Sequence, residues 1–505
     1  MTHVMKNLKK VTAEEIGIKS EYVHEFLDEL ERHQLCMHGF LLMRHEKIGA
    51  EGYWKPMTQD EPHRMYSATK SFVAAAIGVL ADEGKISLDD RVIDYFPDLL
   101  PKEGPHPYLE CTTIRNLLMM STCYTYSTYD INMTEWLKSY FNAIPNHPSG
   151  TIFSYDSCGT YVLGALVKRV TGQDFLEYLM EKVLLKIGFS SERKCLEGPD
   201  GELWAGSGLL ITLRELAAFA KLLLDGGRAG GEQLISEEYV KAATTRQIAN
   251  RTDGSNCSYY CGYGYQIWIM RDDAFYLNGA GGQTAIGFPK TGLIFACTAD
   301  TQGYPAGNIL IFEALWNKIV SRLEAPMPVD EKSSKRLEKR CKELMMQSIE
   351  GEAYSVIQEK IQGKVYDLDE NPMGIQDLRV DFEEGKGTLT YNTPRGEKSL
   401  TFGMAKYLED KFPETHYPGQ RLGCPAGREY RCVNCGAWIQ ENILVIRTNI
   451  IDEFVGNLTI VLSFIKDRIT VKMVKNAQFF LDEYRGIAGG KRQEEYCLKR
   501  MSKDI

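Results

Sequence analysis

With 505 residues, 44% of them hydrophobic and 25% charged, the chain has material for two globular domains with sizeable cores. Its formal net charge of −9 removes any electrostatic reason to expect nucleic acid or an anionic membrane surface as partner. No run approaches about 18 uninterrupted apolar residues, and no signal-like apolar stretch follows the first lysines. A cytoplasmic protein that does not enter a membrane is therefore expected.

In chain order, a helix is predicted after Ser20, where Val23, Phe26, Leu27 and Leu30 recur at helical spacing. GFLLMRHEKIGAEGYW, residues 39–54, reads as a hairpin. SFVAAAIGVLADEG, residues 71–84, reads as a buried helix stopped by Gly84. Further glycine-stopped helices are predicted over 160–172 and 213–227, and strands over 283–288 and 293–300 flank a PKTG turn. The prolines and polar run of LEAPMPVDEKSS, residues 323–334, mark a boundary, with a charged helix over about 331–349. Beyond it, GTLTYN, KSLTFG, NILVIRTNII, NLTIVLSFI and DRITVKMV alternate as strands do, which predicts a small antiparallel barrel or sandwich. The expected organisation is a first domain over 1–324, a linker and helix over 325–350, and a β domain over 351–505.

The spacing S-x-x-K occurs at Ser67/Lys70, Ser191/Lys194 and Ser463/Lys466. Ser463 and Lys466 fall in a strand pattern, where residues three apart face opposite sides. Ser191 and Lys194 lie in the polar turn GFSSERKC, where a lysine keeps its proton. Ser67 and Lys70 differ, because YSATKSF runs straight into one of the most apolar helical segments. A lysine one turn into a buried helix pays desolvation, which moves its pKa toward that of a general base. The helix start also favours negative charge developing on Ser67. The plainer account is a serine cap beside a snorkelling lysine.

Two further stretches weigh against that plainer account. In PSGTIFSYDSCGTYVLGALVKRVTG, residues 148–172, Tyr155 precedes Asp156 and Ser157 just ahead of a helix, and a tyrosine can relay a proton to a leaving group. In NGAGGQTAIGFP, residues 278–289, Gly281 and Gly282 allow close backbone approach, and a bare N–H there can bind an oxyanion. The 13 cysteines are mostly single and apolar in context. The one dense group is Cys424, Cys432 and Cys435, with His416 as the fourth ligand a zinc site needs. YRCVNC reads as well as a strand entering a turn, and no metal or cofactor is expected.

Together these stretches resemble the serine β-lactamase and penicillin-binding-protein superfamily, most closely its class C-like branch of esterases, amidases and D-amino-acid peptidases. Supporting phrases in the family's order are SLDDRVIDYFPD, TIRNLLMMST, AGSGLLITLRELAAFAKLLLDGG and GYGYQIW, so the resemblance spans about residues 12 to 322. It implies an α+β fold, an antiparallel sheet flanked by helices plus an all-helical subdomain. Ser67 then matches the acylated nucleophile, Lys70 its base, and Tyr155 the tyrosine of Tyr-x-Asn. The N–H groups of Ser67 and Gly282 match the oxyanion hole. The asparagine is Ser157 here, and the third motif, Lys-Thr-Gly or His-x-Gly in relatives, is Gly279-Ala280-Gly281. The literal Lys290-Thr291-Gly292 reads as a hairpin turn away from the site. The β region resembles the lipocalin-like domains that follow some of these hydrolases, and shaping the site mouth or forming a homodimer are the roles open to it.

The expected function is a serine hydrolase that cleaves an ester or amide of a small molecule or short peptide through an acyl-enzyme on Ser67. Efficient β-lactam hydrolysis is not expected, since the amide and cation that read lactams are replaced. Which of Lys70 and Tyr155 is the base stays open at this point. An acyltransferase and a catalytically dead binding protein on the same fold are the alternatives. The sequence contains neither H-E-x-x-H nor G-x-S-x-G. Tyr259, Tyr260, Tyr263, Tyr265 and Trp268 are candidates either for an aromatic pocket or for core.

Overall fold

A computed structural model describes residues 8–130, 132–251, 257–415, 429–477 and 480–493. These divide into two compact units, one ending at Met346 and the other beginning at Gln347.

In the first unit β1 (Lys9–Lys10) precedes α1 (Ser20–Arg32), which buries Val23, Phe26, Leu27 and Leu30 as their spacing requires. The expected hairpin is β2 (Met37–Arg44) and β3 (Lys47–Tyr53). α2 (Thr69–Asp82) is buried from Thr69 through Leu80, and the chain turns at Gly84 with φ 66°. α3 (Ser157–Thr171) is capped by the Asp156 carboxylate and ends at Gly172 in the left-handed conformation. α4 (Leu213–Leu224) opens with a capping box between Thr212 and Glu215.

The strands β4 (Gly262–Tyr263), β5 (Trp268–Ile269), β6 (Phe275–Gly279), β7 (Gln283–Phe288) and β8 (Leu293–Ala299) complete a sheet. Its order is β1-β3-β2-β8-β7-β6-β5-β4. The pairing is antiparallel except between β1 and β3, so the sheet is mixed rather than purely antiparallel. Phe26 of α1 packs edge-on against Phe40 and Phe295 on one face. On the other face Leu213 of α4 reaches Gly39, where a Cβ would meet its side chain at 3.0 Å.

α5 (Gly307–Lys318) lies beside α1, and α6 (Glu331–Glu343) packs on α1 and β3 within this first unit. α6 is thus part of the folded layer, and it stops at Glu343 rather than near 349. The cause is local. Leu344 turns extended, buries its side chain, and accepts the Lys55 N–H at 2.9 Å.

The second unit is a barrel. Its strands are β9 (Tyr366–Leu368), β10 (Asp377–Glu383), β11 (Lys386–Thr393), β12 (Gly396–Met404), β13 (Leu408–Lys411), β14 (Arg431–Gln440), β15 (Ile443–Ile451), β16 (Val455–Ile465), β17 (Arg468–Ala477) and β18 (Gly486–Arg492). Nine of them form a closed ring, β12-β11-β10-β9-β18-β17-β16-β15-β14, with β13 paired to β14 outside it. The ring closes through parallel pairing of β12 with β14, Gly403 opposite Cys435 and Met404 opposite Gly436. Aromatic rings including Phe402, Trp438, Phe454, Phe464 and Phe480 are buried in this unit. Tyr391 and Tyr484 hydroxyls meet at 2.7 Å, and Tyr484 donates to Glu414 at 2.8 Å. Cys432 and Cys435 sit within β14 rather than at a turn, and three residues apart on a strand they face opposite sides. Cys424 and His416 lie outside the described residues. Among the described residues no group of three His, Cys, Asp or Glu side chains is placed to hold a metal, and no helix is long and apolar enough to cross a membrane.

Candidate active site

The segment before α2 is bent to present one side chain. Tyr66 has φ 47°, a left-handed conformation that costs an L residue about 1–2 kcal/mol. The ring is fully buried, with the Arg64 guanidinium 4.3 Å from its centroid. Arg64 is itself buried and donates to the Ser207 carbonyl at 3.0 Å and hydroxyl at 2.8 Å. Ser67 follows in a single 3-10 turn, half-buried, and Lys70 comes in the first turn of α2.

Lys70 is 1% exposed. Its Nζ lies 3.0 Å from Ser67 Oγ and donates to the Gly206 carbonyl at 2.5 Å. Burial pushes its pKa down from 10.5 to about 7. The Asp156 carboxylate pulls it back up, and Arg64 adds to the depression. A lysine at this value is substantially neutral near pH 7, so its lone pair is available to the serine proton.

The loop before α3 supplies the second group. Tyr155 places its ring 5.2 Å from Lys70 Nζ. The residue is 40% exposed, yet its hydroxyl end is desolvated, and burial pushes its pKa up to about 12 against a hydrogen bond with Ser67 that lowers it. Asp156 is buried and accepts the Cys158 N–H at 2.8 Å. Ser157 begins α3 half-buried and adjoins Gly206, where a Cβ would lie 3.5 Å from Ser157 Cβ and 3.6 Å from Lys70 Nζ. Ser67, Lys70, Tyr155 and Ser157 are therefore brought together.

The glycine turn after β6 supplies a third edge, and here the expectation needs correcting. Gly281 and Gly282 have φ 79° and 95°, so both need to be glycine. The turn they make directs the Gly282 N–H onto the Gly279 carbonyl at 3.2 Å, so it is already used. Among the described residues no acceptor takes the N–H of Ala280, which is exposed at the turn's tip. Gln283, fully buried, fixes the next peptide of the turn by donating to the Ala280 carbonyl at 3.2 Å and ties it to the Ala299 carbonyl at 2.6 Å. The turn meets the serine segment closely, since a Cβ on Gly279 would lie 2.1 Å from the Met65 carbonyl oxygen. No side chain fits at that position.

Lys290-Thr291-Gly292 is the turn between β7 and β8, with Lys290 paired to Asp273 at 3.1 Å. It stands at the far end of β7 from the glycine turn, about 20 Å along a six-residue strand. Ser191 and Lys194 are exposed, and Ser463 lies within β16 with Lys466 in the turn beyond. Tyr259, Tyr263 and Tyr265 are core, whereas Tyr260 and Trp268 keep exposed surface. A cavity of about 520 Å³ between β3 and α6, lined by Glu51, Tyr53, Met57, Leu337 and Cys341 among others, shares no residue with this site.

Sequence reasoning missed Arg64, Gly206, Ala280 and Gln283. For Gly206 and Gln283 the phrases AGSGLL and GAGGQ were the available signal. Arg64 stands out by its burial and Ala280 by an untaken backbone N–H, features that residue type does not announce.

A family model described as Beta-lactamase matches residues 37–315, and the chain belongs to that family of β-lactamase-fold hydrolases. It is similar to the 6-aminohexanoate-dimer hydrolase of Paenarthrobacter ureafaciens, 25% identical over 225 residues that make up 41% of this chain and 57% of that protein. It is also similar to esterase EstB of Burkholderia gladioli, 29% identical over 161 residues, 28% of this chain and 40% of the esterase. The chain thus spans little more than half the length of the first relative and less than half of the second. A solved penicillin-binding protein homologue from Pyrococcus abyssi, described as octameric, aligns with a TM-score of 0.47 and 15% identity over 93% of this chain and 99% of that one.

Proposed function

We propose that the chain is a serine hydrolase that cleaves an ester or amide through an acyl-enzyme on Ser67. The observation that carries this reading is the buried Lys70 amine, 3.0 Å from Ser67 Oγ with its pKa pushed down to about 7. Neutral Lys70 accepts the Ser67 proton as Oγ attacks the carbonyl, while its own N–H stays anchored on the Gly206 carbonyl. The N–H groups of Ser67 and Ala280 receive the oxyanion, replacing the pair that includes Gly282. Tyr155, with its pKa near 12, remains a phenol at neutral pH. It therefore serves as the acid that protonates the leaving oxygen or nitrogen, and Lys70 serves as the base. Water, deprotonated by the same groups in reverse, then releases the acyl group.

The two similar proteins with named activities, a 6-aminohexanoate-dimer hydrolase and an esterase, support a hydrolase reading. The test is intact mass after incubation with a fluorophosphonate. One adduct is expected on the wild-type chain and none on Ser67→Ala. An equal adduct on both, or none on either, refutes the mechanism.

A further inference from the structure

Beside the Ser67–Lys70 pair stands a wall of aromatic rings. The Tyr155 ring stacks on Trp268 with centroids 5.5 Å apart and planes 26° from parallel. Tyr260 meets Trp268 edge-on at 5.5 Å, and Phe153 meets it at 5.9 Å. Tyr263 and Tyr276, both buried, back Trp268 at 5.0 and 6.1 Å. A buried aromatic cluster needs no explanation beyond packing. In this one, however, Tyr155 and Ile152 are 40% and 43% exposed, and Phe153, Tyr260 and Trp268 keep part of their surface. A contiguous apolar surface of this kind at the edge of a reactive serine marks a place where something apolar rests.

Its position says which part of the substrate that is. In the reading proposed above, Tyr155 hands its proton to the leaving atom, so the rings flanking Tyr155 face what is attached to that atom. Two positions near the pair that could carry polar recognition, 157 and 279, offer little of it. Ser157 offers only a short hydroxyl, and position 279 admits no side chain because the Met65 carbonyl occupies the space.

We propose that the wall is a leaving-group site for the apolar portion of an alcohol or amine, a hydrocarbon chain of several carbons or an aromatic ring, and that Trp268 sets this preference. The proposal rests on the acyl-enzyme reading. The substrate class is then an ester or amide whose departing half is hydrophobic, with little demand on its acyl half from this wall.

Acetate esters of ethanol, butanol, hexanol and octanol test it, because these alcohols have nearly constant acidity and all give one acetyl-enzyme. Differences in kcat/KM across the series then report leaving-group contacts alone. Release of acid is followed by pH-stat for the wild type, Trp268→Ala, Trp268→Phe and Tyr260→Ala. In the wild type kcat/KM rises from ethyl to octyl acetate. Trp268→Ala lowers the octyl-to-ethyl ratio about tenfold, Trp268→Phe restores much of it, and Tyr260→Ala lowers it less. A parallel series of ethyl esters with lengthening acyl chains keeps its wild-type slope in Trp268→Ala.

Should the acyl series flatten instead, or the octyl-to-ethyl ratio survive both Trp268→Ala and Tyr260→Ala, the assignment is wrong while the hydrolase reading stands. A wild-type chain that takes no fluorophosphonate on Ser67 removes both. Trp268→Phe and Tyr260→Ala, the milder changes, decide the matter if Trp268→Ala fails to fold.

Discussion

Replacing Lys70 by methionine separates the energetics of the site from its chemistry. The folded chain holds this amine at 1% exposure, with its pKa moved from 10.5 to about 7 mainly by desolvation. At about 1.36 kcal/mol per pH unit, that displacement makes the charged form about 5 kcal/mol worse in the folded chain than in the unfolded one. Between pH 7 and 10.5 the unfolded chain keeps the proton that the folded chain has released, so stability climbs with pH across that window. Below pH 7 the whole penalty is felt. Methionine fills similar length without charge, but leaves the Gly206 carbonyl without its donor, a loss of about 1–2 kcal/mol.

Lys70→Met is therefore expected to be inactive yet more stable than wild type at pH 6, by about 3 kcal/mol. The gain should shrink as pH rises and reverse in sign near pH 9. Guanidinium unfolding of both chains at pH 6, 8 and 10 reads this directly. A variant less stable at pH 6, or a difference that does not change with pH, refutes the desolvated-lysine argument.

Three further expectations concern pH. Wild-type kcat/KM should rise with pH with a midpoint near 7 as Lys70 loses its proton. Asp156→Asn, which retains a good helix cap but removes the charge that raises the lysine's pKa, should move that midpoint lower, and a midpoint that stays or rises contradicts the assignment. His38 and His63 form a buried pair, Nδ1 to Nε2 at 3.0 Å, and burial holds His63 at about 4 and His38 well below its usual value. Depressed pKa values in a base mean stability that is complete above pH 6.5 and lost as pH falls toward 4, about 3 kcal/mol from His63 alone. In unfolding curves at pH 7.5 and 4.5, His63→Gln should lose less stability on acidification than wild type, and equal losses would remove the pair from the account.

Local signals carried the helices and the choice of serine. The apolar run after Ser67 and the strand pattern around Ser463 were enough to separate two identical spacings, because burial and periodicity are written in neighbouring residues. The glycine turn was legible as a turn but not in its hydrogen bonding. Whether Ala280 or Gly282 leaves an N–H unused depends on two positive φ angles acting together. The His38–His63 contact spans 25 residues and is made only when a strand of the sheet comes beside the segment leading to Ser67, so no motif announces it. The strands of the second unit were visible one by one. Their closure into a ring was not, since it rests on Gly403 and Met404 finding Cys435 and Gly436.

That closure has a mechanical consequence. Two residue pairs contribute few hydrogen bonds, while the neighbouring antiparallel ladders run the length of their strands. Two side chains reinforce the seam, and one is Asn434 of β14, whose amide donates to the Thr401 carbonyl of β12 at 2.8 Å. The other is Phe402, fully buried, which lies over Gly387 on one neighbour and Gly436 on the other, and a Cβ on either glycine would come within 2.4 Å of its ring. The barrel thus has a preferred place to breathe. It is expected to part first between β12 and β14, once Phe402 and Asn434 let go, and native-state hydrogen exchange that is no faster at this seam than along the long ladders would refute the expectation.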